Sequence, residues 1–183
     1  MSVMEFILVA HSIIVGLAVA EILRGLADMV RTEEIRISGR LLLIASWTLL
    51  LLWQVWWAIW QVGDRAKWTF PEFLISLIPV GILYVLARLC FPEKSSDPDH
   101  PAYYSRIAPQ IFLLVACTYL SFAFFWQPFV SGGIVPLVFA SQLAVAVLAI
   151  IASRYHAPIF QLLVILAMVI QVFWRGLSSV VGS

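Results

Sequence analysis

The stretch Val3–Ala20, VMEFILVAHSIIVGLAVA, decides the fold class of this chain, because Glu5 is its one charged residue. Five further apolar stretches follow it. A helix of about 20 residues crosses the roughly 30 Å hydrocarbon core of a bilayer. Hydrophobic residues make up 63% of the 183-residue chain and charged residues 11%, against about 45–50% and about 25% in soluble domains. The sequence therefore predicts a protein that is embedded in lipid.

The predicted fold is all-α, a polytopic transmembrane bundle of six spans in a single domain, residues 1–183. Helices suit this environment because they satisfy their backbone polar groups within one crossing segment. Prolines at first-turn positions, where a missing N–H is not needed, mark several helix starts. The predicted spans are Met4–Val30, Gly39–Val62, Pro71–Phe91, Ser105–Trp126, Ile134–Ser153 and Ala157–Ser179.

The distribution of basic residues predicts how the chain is threaded, because lysine and arginine concentrate in cytoplasmic loops. Eight of the eleven lie at or after the ends of spans one, three and five: Arg24, Arg31, Arg36, Arg40, Arg88, Lys94, Arg106 and Arg154. The other three are Arg65, Lys67 and Arg175. Both termini are therefore predicted outside the cytoplasm. An interfacial belt of tryptophans at the outer ends of the even-numbered spans agrees with this orientation: Trp56, Trp57, Trp60, Trp126 and Trp174.

The first span combines a ridge of small residues with a run of charges. Ser12, Gly16 and Ala20 recur at four-residue spacing, which allows a second helix to approach closely. Glu21, Arg24 and Asp28 follow, alternating in sign. These charges either form the inner mouth of an ion path or emerge with the helix into the headgroups and the cytoplasm.

His11 lies close to the middle of the first span, and an ionisable residue at that depth is a functional candidate. Polar residues from other spans are predicted at similar depth, and several are expected to meet His11, because unpaired amides and hydroxyls are costly in hydrocarbon. They are Gln54, Thr118, Tyr119, Gln142 and Gln171. Two interpretations remain: the polar residues line a pathway, or they lock the helices together with a neutral His11.

No cofactor and no metal site is predicted. The tryptophans of span two, Trp53, Trp56, Trp57 and Trp60, either stack a pigment, quinone or lipid or serve as belt and packing residues. Acidic residues and His100 between Pro92 and Tyr104 suit a solvated connector better than a metal site. The sequence contains no catalytic motif that favours an enzyme, and its net charge of +1 gives no nucleic-acid-binding surface.

The segment VGLAVAEILRGL, Val15–Leu26, the tryptophan-rich second span and Phe91-Pro92-Glu93 resemble small uncharacterised multi-pass proteins of bacterial inner membranes. The resemblance is closest in the first half of the chain. It implies a location in the bacterial inner (plasma) membrane and carries no known activity.

Together these features predict an integral membrane protein, oligomeric and channel- or transporter-like, that forms a path for a small ion or solute. The pathway residues are predicted to be His11, Glu21, Arg24, Asp28, Gln54, Tyr119, Gln142 and Gln171. The expected partners are the lipid bilayer and either further copies of the chain or a partner membrane subunit. The alternative is a non-catalytic accessory subunit or membrane sensor that packs in a larger complex through the Ser12, Gly16 and Ala20 ridge.

Overall fold

A computed structural model describes residues 3–31, 38–61, 68–91, 100–128, 132–155 and 157–181. Every regular element in these ranges is a helix, which confirms the predicted helical bundle. We number the helices α1 to α6 along the chain. They are α1 Val3–Arg31, α2 Gly39–Gln61, α3 Phe70–Leu89, α4 His100–Ser121, α5 Pro136–Arg154 and α6 Pro158–Val181, and a π-helical turn, Phe122–Trp126, continues α4.

Five of the six helices, α1 to α5, are long and apolar enough to cross a membrane. The apolar part of α6 is the shorter segment Pro158–Phe173. The chain is therefore an integral membrane protein whose outward side chains contact lipid. The helix bounds follow the predicted spans, with the largest difference at α4, which begins at His100 rather than Ser105.

The helix starts have clear local causes. Thr69 and Glu72 form a capping box at the start of α3, in which the Thr69 N–H donates to the Glu72 carboxylate at 2.8 Å and each residue satisfies a backbone N–H of the other. Pro71 lies in the first turn of α3, and Pro136 and Pro158 begin α5 and α6. The three prolines thus lie where the sequence predicted helix starts.

The six helices form a ring of neighbours, α1, α3, α4, α5, α6, α2 and back to α1, and α2 also packs directly against α3. The aromatic ring of Trp47 on α2 stacks on that of Tyr119 on α4, with centroids 5.9 Å apart. Both residues are buried, so this pair lies inside the bundle.

Gly25 allows α1 and α3 to pack closely near their C-terminal ends. Gly25 is buried in α1, and a Cβ built on it would lie 2.1 Å from Cγ of Phe91, just after α3. Atoms cannot approach so closely, so the Phe91 ring occupies the space that any larger residue at position 25 would need. Glycine is required here for close packing rather than for an unusual backbone conformation.

Candidate functional site

Two glutamine side chains hold α2, α5 and α6 at one level of the bundle. Gln54 Nε2 donates to the carbonyl of Val172 at 2.7 Å. Gln171, the residue before Val172, donates from Nε2 to Ser141 Oγ at 3.0 Å. Because these bonds link consecutive positions of α6 to α2 and α5, the three helices contribute polar groups to the same layer.

Gln142 and Tyr119 belong to this layer by the geometry of the α4–α5 hairpin. Gln127 Nε2 donates to the carbonyl of Val135 at 3.0 Å, which fixes the end of α4 beside the start of α5. Tyr119 lies eight residues before Gln127, and Gln142 seven residues after Val135. At about 1.5 Å of rise per residue, both positions are displaced by nearly the same distance from the turn. We call Gln54, Tyr119, Ser141, Gln142 and Gln171 the polar layer.

Gln142 is the unusual member of the polar layer. Its side chain is 0% exposed, and neither amide atom has a hydrogen-bond partner within the described residues. Oε1 of Gln171 is likewise buried without a partner there. Leaving an amide unpaired in an apolar environment costs roughly 1–3 kcal/mol on mutational scales. Such a group is suited to a polar ligand that enters the bundle.

Tyr119 of the polar layer stacks on Trp47 of α2. Both side chains are buried, so α2 and α4 meet through this pair inside the bundle. At the other end of α4, the Tyr104 hydroxyl donates to Oε1 of Gln161 on α6 at 2.9 Å. Buried aromatic side chains therefore lie both in the polar layer and nearer the end of the bundle where α4 begins.

The prediction that the amides meet His11 is wrong. His11 is fully buried between α1 and α3, and its ring nitrogens contact the carbonyl oxygens of Ile7 and Ser76. Gln54 and Gln171 instead bond within the polar layer, and Thr118 donates to the carbonyl of Leu114 in its own helix. The helices that carry these residues face different neighbours around the ring, so similar depth did not bring their side chains together.

The charges of α1 form a small cluster with α3. Glu21 pairs with Arg24 one turn later and with Arg88 at 3.4 Å. The carboxylate is 19% exposed, whereas both guanidinium side chains are at least half exposed. Exposed pairs of this kind contribute about 0–1 kcal/mol. Asp28 is half-buried further along α1. The cluster ties α1 to α3 at the bundle end that the sequence assigns to the cytoplasm.

The small-residue ridge faces outward. Ser12, Gly16 and Ala20 are all exposed, and a Cβ on Gly16 would meet nothing within 4 Å. Trp56 Nε1 of α2 donates to Ser12 Oγ at 3.1 Å. A groove of about 370 Å³ opens between α1 and α2 here, lined by Leu8, Val9, Ser12, Ile13, Trp56 and Trp60. Ser12 therefore contacts α2 of the same chain, whereas Gly16 leaves open space on the outward face of α1.

The tryptophans predicted as one belt occupy different environments. Trp57 and Trp60 are exposed on α2, and Trp56 packs beside Trp60 with ring centroids 6.2 Å apart. Trp126 is instead buried and meets Phe122 edge to face, because the π-helical turn lies against α3 and α5. Its assignment to a lipid-facing belt is therefore wrong. The side chain of Trp174 lies outside the described residues.

Two contributors to the interior were not predicted. Ser141 accepts from Gln171, and Trp47 stacks on Tyr119. The sequence does carry a signal for Trp47, since it lies two turns inside α2, away from the helix ends that interfacial tryptophans prefer. Ser141 precedes Gln142 directly, so these two polar residues of α5 were candidates for the same layer.

Within the described ranges, no three histidine, cysteine or acidic residues lie close enough together to hold a metal ion. Residues 92–99 of the connector after α3, and the side chains of His100 and His156, lie outside those ranges.

Comparison of the chain with models of protein families, with curated proteins and with solved structures finds no match.

Proposed function

We propose that the bundle provides a gated path for a small ion or polar solute across the bacterial inner membrane, with both termini outside the cytoplasm. The observation that carries this proposal is Gln142, whose buried amide has no partner in the described part of the chain. Gln54, Gln171 and Ser141 add polar groups at the same level. An amide both donates and accepts hydrogen bonds, so it suits a hydrated ion or a neutral hydrogen-bonding solute.

The proposed gate is the pair Trp47 and Tyr119. The two rings come from α2 and α4 and stack inside the bundle, and Tyr119 itself belongs to the polar layer. Passage would require the rings to separate, which small rotations of α2 or α4 would achieve. Pro109 within α4 and the π-helical turn after it are the irregular points of that helix, and both are common sites of bending.

Flux into reconstituted vesicles tests the proposal. Protein is placed in liposomes, and K⁺, Cl⁻ and proton movement are followed with trapped fluorescent indicators, while urea and glycerol entry is followed by swelling. We expect at least one of these probes to cross faster than in protein-free vesicles, and Gln142→Leu to lower that rate. Rates equal to those of empty vesicles for all five probes would contradict the proposed path.

A second function, association with a partner membrane helix, is favoured by the outward ridge of α1. Gly16 leaves open space on a lipid-facing surface, and small residues at four-residue spacing let helix backbones approach closely. The groove beside Ser12 continues this surface onto α2. The chain would then act as an oligomer or as an accessory subunit, and the residues that join it to the assembly would be Ser12, Gly16 and Ala20.

Substitution of Gly16 by isoleucine tests this second function. A Cβ at this position meets no neighbouring atom within 4 Å, so we expect unchanged folding but weaker assembly, measured as subunit stoichiometry by native mass spectrometry in mild detergent. Val147→Leu, on the exposed face of α5, is the matched control because it adds bulk away from both the ridge and the groove. An unchanged stoichiometry in Gly16→Ile would exclude the ridge as the contact surface.

A further inference from the structure

Both ring nitrogens of His11 point at backbone carbonyl oxygens. Nδ1 lies 2.9 Å from the oxygen of Ile7, one turn earlier in α1. Nε2 lies 3.2 Å from the oxygen of Ser76 on α3. The imidazole therefore bridges two helices through two oxygens that can only accept hydrogen bonds.

This geometry distinguishes the protonation states of the ring. A neutral imidazole has one N–H, so either tautomer leaves the lone pair of its other nitrogen facing a carbonyl oxygen. The imidazolium ion has two N–H groups and donates to both oxygens. Hydrogen bonds from a charged donor are also shorter and stronger than those from a neutral one. The two contacts thus match the protonated ring.

Burial opposes this preference, because a charge in an apolar environment loses its hydration. The nearest recorded side-chain contact is the ring of Phe73 on α3, edge-on at 6.4 Å. The charged residues of these helices are Glu5, Glu21, Arg24, Asp28 and Arg31 on α1, Arg40 on α2, and Glu72 and Arg88 on α3; Tyr84 is the tyrosine of α3. Glu72 lies one turn before Ser76 on α3. No side chain of opposite charge is recorded within bonding distance of the ring among the described residues.

We propose that His11 is a proton-binding site that couples the protonation state of the bundle to the contact between α1 and α3. With the proton bound, the ring donates to Ile7 and Ser76 and holds the helices as described. Loss of the proton removes one donor, so one of the two contacts must open or rotate away. The site lies at the α1–α3 interface, outside the polar layer, and does not require that any solute crosses the bundle.

Nitrogen NMR of the histidine rings tests this proposal directly. The chain has three histidines, so ¹⁵N-histidine-labelled protein in liposomes gives few signals, and the spectrum of His11→Gln identifies the signal of His11 by its loss. The double variant His100→Gln/His156→Gln confirms the assignment, because His11 is then the one histidine left in the sequence. Spectra are recorded between about pH 5 and 8, the range in which histidine ordinarily changes charge.

We expect the His11 signal to show two protonated nitrogens over at least the acidic part of this range. A single neutral tautomer at every pH would overturn the proposal. Because this readout needs no flux, it separates the two ideas: vesicles without transport but with a doubly protonated His11 would refute the path and support the proton site. Transport with a permanently neutral His11 would support the path and refute the proton site.

Discussion

Replacement of Gln142 by leucine is expected to stabilise the bundle while abolishing flux. The two side chains are similar in size, and the substitution removes a buried amide without a partner in the described residues. We expect a gain of about 1–3 kcal/mol in the free energy of unfolding, the mutational cost of burying an unpaired amide. The midpoint of unfolding in mixed detergent micelles measures the gain, and vesicle flux measures the loss.

Gln54→Leu is the matched control for this result. Gln54 donates to the Val172 carbonyl, so its loss removes a hydrogen bond that is worth about 0.6 kcal/mol on average between membrane helices. We therefore expect opposite signs: higher stability in Gln142→Leu and lower stability in Gln54→Leu. A destabilised Gln142→Leu that retains full flux would show that the Gln142 amide serves packing and not passage.

Replacement of Gly25 by alanine is expected to cost about 1–3 kcal/mol of stability, the usual range for overpacking a close contact. The new Cβ would lie 2.1 Å from Cγ of Phe91, at the root of the ring rather than at its flexible end. Phe91 must therefore leave its place, and the contact between the ends of α1 and α3 opens. The unfolding midpoint of the purified protein in detergent measures the loss.

Gly16→Ala controls for the effect of alanine on the helix itself. Gly16 is exposed in the same helix and has open space around it, and alanine is the better helix former by about 1 kcal/mol. We expect no loss of stability at this position. In addition, the stability losses of Gly25→Ala and Phe91→Ala should not add in the double variant. Alanine at position 25 costs little once the Phe91 ring has been removed. Additive effects would mean that the two residues do not touch.

Hydropathy predicted the helical bundle because long apolar segments indicate that lipid, rather than water, surrounds the chain. Span lengths, the prolines at helix starts and the capping residues are local properties, so the helices follow from the chain directly. The order of the helices around the ring does not, because apolar faces of similar composition pack against one another with little preference. Trp126 illustrates this limit: its place at a helix end indicated a lipid-facing belt, but neighbouring helices cover it.

For the polar residues, too, the sequence predicts depth in the membrane but not the packing partners. Residue counting predicted similar depths for them, and hydrogen bonds link Gln54 to α6 and Gln171 to Ser141 of α5. Their partners were not predictable, because the direction of a side chain depends on helix rotation. His11 thus contacts a backbone carbonyl of α3 instead of the glutamine amides. Glu21 on α1 pairs with Arg88 on α3. The outward direction of the Ser12, Gly16 and Ala20 ridge likewise required the packed structure.

The central claim is that water and small polar solutes reach the polar layer inside the bundle. Cysteine labelling at Gln142 tests it most directly, with Cys90 and Cys117 first replaced by alanine and a small, charged thiol reagent added to vesicles. Val147→Cys, on the exposed face of the same helix, is the lipid-facing control. The account predicts that Gln142→Cys reacts and Val147→Cys does not. An inert Gln142→Cys in correctly folded protein would contradict it.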